Sequence, residues 1–122
     1  MPNGPEYVEA TLAKLERAST AIGALDGVQE SWKAEAQTRL VAVAELLRGT
    51  TDRFFLKTRV CLPFARKCDQ AALKLEATLE ALAGEQGEQA PPEAALETAL
   101  AALEKTARTL DERSMMQGMS IT

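Results

Sequence analysis

Apolar residues recur along this chain at alternating steps of four and three, with charged and polar residues between them. Only an α-helix brings positions spaced this way onto one face, so the pattern predicts amphipathic helices. The first covers residues 5–25, where Val8, Leu12, Leu15, Ser19 and Ile22 draw one stripe and Leu25 extends it. Pro5 suits an early helical position, Asn3 or Gly4 is the expected cap, and Glu6 and Glu9 favour the positive helix end. Asp26-Gly27 marks the stop, glycine being free to take the left-handed conformation.

The second predicted helix covers residues 28–48. Its main stripe is Trp32, Ala36, Leu40, Val43 and Leu47, widened by Val41, Ala44 and Leu46. Gly49 is the expected end, with Thr50 or Thr51 capping the next helix. Connections this short favour neighbours that run antiparallel.

The third stretch, residues 52–83, carries the cleanest seam: Cys61, Ala65, Cys68, Ala72, Leu75, Leu79 and Leu82. Pro63 lies off the seam but inside the stretch. It cannot donate to the carbonyl of Arg59 and its ring crowds that turn, so a kink or break is expected near Leu62. The piece before it is expected either to fold across the end of the bundle or to project towards a second chain. Residues 84–90, G-E-Q-G-E-Q-A, read as a flexible polar connection. Pro91 and Pro92 then open a fourth helix with the stripe Leu96, Leu100, Leu103, Ala107 and Leu110, whose period is lost after Arg113.

The expected fold is therefore all-α: an antiparallel four-helix bundle over residues 1–114, its third helix kinked or broken near Pro63, with a flexible tail over 115–122. Shallow crossing angles are expected from the heptad-like spacing. Length and composition agree with one domain, since 122 residues can bury a sizeable core and 46% of them are apolar. Aromatics make up only 4%, and much of the apolar share is alanine, which favours helix and close helix packing.

The chain has no histidine, which removes the commonest general base and most transition-metal sites. Its 18 acidic residues fall on solvated helix faces, as in the like-charged pairs Glu76/Glu80 and Glu93/Glu97. No phosphate-binding loop, nucleophile elbow or calcium-binding loop pattern occurs. An enzyme is not expected, nor a cofactor or metal. Cys61 and Cys68, seven apart on one helix face at ~10 Å, are too far apart for a disulfide and lack metal-knuckle spacing. They read as small buried apolar residues; the alternative is a metal shared by four thiols across a symmetric dimer.

All three phenylalanines, both cysteines and five basic residues crowd into Arg53 through Cys68. Arg53, Phe54, Phe55, Lys57, Arg59, Phe64, Arg66 and Lys67 are the candidate partner-binding residues, because apolar groups rimmed by cations resemble an interface hot spot. The competing explanation is that the segment plugs the bundle's end, its charges snorkelling outward. A protein partner is expected, with self-association into a homodimer the second option. Single-stranded nucleic acid or an anionic membrane is the alternative, opposed by the net charge of −4. No basic and apolar leader pattern is seen at the start, so the expected location is the cytoplasm, where both thiols stay reduced.

Overall fold

In the computed structural model, which describes residues 2–84 and 92–120, every regular element is helical. Helix α1 spans Gly4–Gly23, α2 Glu30–Thr50, α3 Leu62–Gly84 and α4 Pro92–Ser120. Two 3-10 turns, Phe54–Lys57 and Arg59–Cys61, lie between α2 and α3. The expected connection over residues 84–90 lies, past Gly84, outside the described residues, as do Pro91 and the last two residues of the expected tail.

Asn3 starts α1 by reciprocal capping. Its side chain accepts from the Glu6 amide at 2.9 Å, and its own amide donates to the Glu6 carboxylate at 2.8 Å. The helix stops at Gly23, and Gly27 turns the chain with φ at +77°. The last turn of α1 holds no basic residue of its own. Lys33 supplies one from α2, donating to the Gly23 carbonyl at 3.2 Å. A cation there satisfies an orphan carbonyl and complements the helix dipole.

The helices bury strict four-and-three stripes, though not always the expected ones. In α4 every predicted position is fully enclosed, and the stripe continues to Ser114. In α3, Ala65, Cys68, Ala72, Leu75 and Leu79 are buried as predicted. In α1 the stripe is Gly4, Val8, Thr11, Leu15, Ala18 and Ile22, so Thr11 and Ala18 replace Leu12 and Ser19. In α2, Lys33 takes the place expected of Trp32, and Gly49 lies inside the last turn rather than ending the helix. Each fully enclosed Leu or Ile contributes roughly 1.5–3 kcal/mol. The enclosed alanines let the backbones approach.

Cross-helix partners define the path. Gln37 donates to the Ser19 carbonyl and Lys33 to that of Gly23, so α1 and α2 run in opposite directions. Lys14 meets Asp69 at 2.7 Å and Arg17 meets Glu76 at 2.8 Å, residue numbers rising together, so α1 and α3 run the same way. Arg39 joins Glu97 and Glu104, and Arg53, just past the end of α2, reaches Asp111, so α2 and α4 likewise run the same way. Consecutive helices thus alternate in direction, but α1 rests on α2 and α3, and α4 on the same two. Helices α2 and α3 are consequently diagonal, and residues 51–61 cross the end of the bundle to join them.

Over residues 52–83, where a third helix kinked or broken near Pro63 is expected, the chain forms these two 3-10 turns followed by α3, with Pro63 in the first helical turn, where its missing N–H costs nothing. The longest helix is α4, at 29 residues against 20, 21 and 23 for the others. At 1.5 Å per residue this is ~44 Å, so α4 overhangs the end that residues 51–61 cross. The loss of period after Arg113 does not end the helix.

Candidate functional site: the crossed end of the bundle

Residues 51–61 reach across the bundle because four local features fit them to it. The Arg53 amide donates to the Thr50 carbonyl at 2.9 Å, which carries the turn of α2 outward. The Arg53 guanidinium then ties the segment to α4, with Asp111 Oδ1 at 2.6 Å and Ser114 Oγ at 2.7 Å. Thr58 is extended and its hydroxyl donates to the Phe55 carbonyl at 2.8 Å, separating the two 3-10 turns. Gly4 admits the crossing chain against α1: a Cβ there would fall on the Leu56 carbonyl oxygen and 2.6 Å from Cys61 Sγ.

This geometry divides the eight predicted residues. Phe55 is 3% exposed and, with Leu56 and Cys61, closes the core; it is withdrawn from any partner in this fold. Arg53 is committed to the clamp on α4. Phe64 is half-buried, its ring centroid 6.0 Å from that of Phe55 and 5.4 Å beneath the Arg113 guanidinium. Phe54, by contrast, is 59% exposed. Lys57, Arg59, Arg66 and Lys67 are exposed too, and none of the four has an ion-pair partner among the described residues. The adjacent phenylalanines could not share one direction, and the crossing resolves this by enclosing one and leaving the other out.

Sequence reasoning misses two parts of this end. Val60 is 61% exposed, more than any other large apolar residue among the described ones, yet nothing in the sequence sets it apart from its apolar neighbours in the segment. A groove of about 680 Å³ also opens between the start of α1 and the 3-10 turns, with Pro2, Pro5, Leu56 and Leu62 as apolar lining and Lys57 and Arg59 as its cations. Pro2 carries no signal in the sequence and Pro5 only that of a helix start. Met115 and Met116, on the overhanging part of α4, are 48% and 57% exposed.

Cys61 and Cys68 are free and buried. Burial pushes the Cys68 thiol up to about 11 and the Cys61 thiol upward as well, so neither is a ready nucleophile or ligand. Among the described residues no three Cys, Asp or Glu side chains gather as a metal site, and no helix is long and apolar enough to cross a membrane. No family model matches the chain, and no curated protein or solved structure matches it either.

Proposed function

We propose that this chain is a non-catalytic interaction module, an adaptor, chaperone, inhibitor or assembly subunit of the cytoplasm, whose docking face is the crossed end of the bundle. The observation that carries this is the outward disposition of Phe54 and Val60 in a segment whose neighbours Phe55 and Leu56 are 3% and 1% exposed. Closing the core takes Phe55, Leu56 and Cys61 and leaves the outward ring and branched aliphatic of the same short segment for another role. Beside them stand cations free of ion-pair partners among the described residues, the composition of a hot spot with a polar rim.

The test is affinity capture from the source cell's extract with the wild-type chain and with Phe54→Ala/Val60→Ser. A species retained by the first and lost by the second, with coincident thermal melts, supports the proposal. Identical captures reject it. Light scattering of the pure chain decides whether that species is a second copy.

A second reading rests on the same four cations: a polyanion, single-stranded nucleic acid or acidic lipid, laid across Lys57, Arg59, Arg66 and Lys67. Its signature is affinity that falls steeply with added salt. Titration with oligothymidylate and with phosphatidylserine vesicles at low salt distinguishes it from protein docking.

A further inference from the structure

Resting on the docking role just proposed, we infer that the groove between the start of α1 and the two 3-10 turns receives an acidic peptide segment carrying an apolar residue among its carboxylates. Besides Asn3, Gly4 and Thr58, two sets of lining residues bear on the ligand. Pro2, Pro5, Leu56 and Leu62 supply carbon surface with little of its own to donate or accept, which suits an aliphatic or aromatic side chain. Lys57 and Arg59 supply positive charge on one side, both exposed and without an ion-pair partner among the described residues. A ligand complementary to both must be apolar and anionic within a few residues of each other.

The walls are fixed before anything binds. Leu56 lies against Gly4 too closely for even a methyl group, the Asn3–Glu6 capping box holds the first turn of α1, and Thr58 and Arg53 pin the crossing segment. Such preorganisation lowers the ordering cost of association. At about 680 Å³ the groove has the size of a small-ligand site, enough for one or two side chains of a peptide. Charge complementarity selects the acidic class. Nucleic acid fits less well, because the groove has no aromatic ring on which a base would stack. A concave, two-cation cleft is likewise a poor match to a flat bilayer.

Selection of a random dodecapeptide display library on the full-length wild-type chain tests this directly. Enriched peptides should bear two or more Asp or Glu around an apolar residue. The best of them, labelled with fluorescein and followed by anisotropy, should bind Lys57→Glu/Arg59→Glu at least about tenfold more weakly and lose affinity as salt is raised. Because both cations are exposed, the variant should melt with the wild type. Enrichment without acidic bias, or binding that survives the charge reversal but fails in Phe54→Ala, overturns the groove assignment and leaves the docking face standing. Failure to enrich any peptide, with oligothymidylate or phosphatidylserine vesicles bound instead, overturns both.

Discussion

Replacing Gly4 by alanine asks whether the crossing segment really lies on α1. In an ordinary helical position the change stabilises by up to ~1 kcal/mol, since alanine is the better helix former. Here the added Cβ would collide with the Leu56 backbone carbonyl and sit 2.6 Å from Cys61 Sγ. A backbone carbonyl inside a 3-10 turn cannot rotate aside as a flexible side chain does, so either α1 or the crossing segment has to move. Overpacking of this kind costs ~1–3 kcal/mol. Offset by a few tenths of propensity in the first turn, the net loss is about 1–2 kcal/mol, or roughly 4–10 °C in Tm for a domain of this size. Gly49→Ala is the matched control: nothing lies within 4 Å of its added methyl, so it should raise Tm. Circular dichroism melts and urea titrations at one pH measure both. A Gly4→Ala protein as stable as the wild type would show that residues 51–61 do not pack against α1.

Three further outcomes are expected. Phe55→Ala should cost ~3–5 kcal/mol as a core truncation, whereas Phe54→Ala should change stability by less than about 0.5 kcal/mol; chemical denaturation separates them. Arg39 holds Glu97 and Glu104 below the usual carboxylate range through hydrogen bonds and charge. Depressed folded values mean the stabilisation is present above the unfolded carboxylate pKa of ~4.3 and lost as pH falls through the lowered values. Wild type should therefore exceed Arg39→Gln by roughly 0.5–1 kcal/mol at pH 7, discounted for solvent screening, and converge with it in acid. Finally, a disulfide reagent at pH 8 should leave Cys61 and Cys68 untouched in the native chain and modify both on unfolding; rapid native labelling would contradict their burial.

The pattern of the chain exposes most of α3 and α4 because their stripes are nearly pure Leu, Ala and Cys, leaving one face to choose. In α1 it finds Val8, Leu15 and Ile22 but falls one position away at two steps, because Leu12 is larger than Thr11 and Ser19 is flanked by small residues. Burying Thr11 is permitted because its hydroxyl donates to the Tyr7 carbonyl at 2.7 Å, a bond no hydropathy pattern records. Hydropathy favours Trp32 over Lys33 for the same reason, and the lysine's enclosed stem with its amine on Gly23 is a tertiary fact. At the candidate site, proline chemistry locates the break but not the crossing. Whether residues 51–61 plug or project depends on α2 and α3 being diagonal, which no local signal specifies. Hence Phe54 and Phe55, equal neighbours in the sequence, read as one role where the fold assigns two.

A four-helix chain of alternating direction can be wired around its ring in more than one way, and the apolar seams barely discriminate among them. The wiring found here sets α1 beside α3 and α2 beside α4 pointing the same way, so their macrodipoles repel. Among the described residues, the ion pairs that link one helix to another fall on those two contacts alone: Lys14–Asp69 and Arg17–Glu76 on one, Arg39 with Glu97 and Glu104 on the other. The charges thus work as an address, written on the outside, that tells each helix which neighbour to accept. Exchanging those signs in pairs while the interior is left alone would ask how much of the wiring they hold.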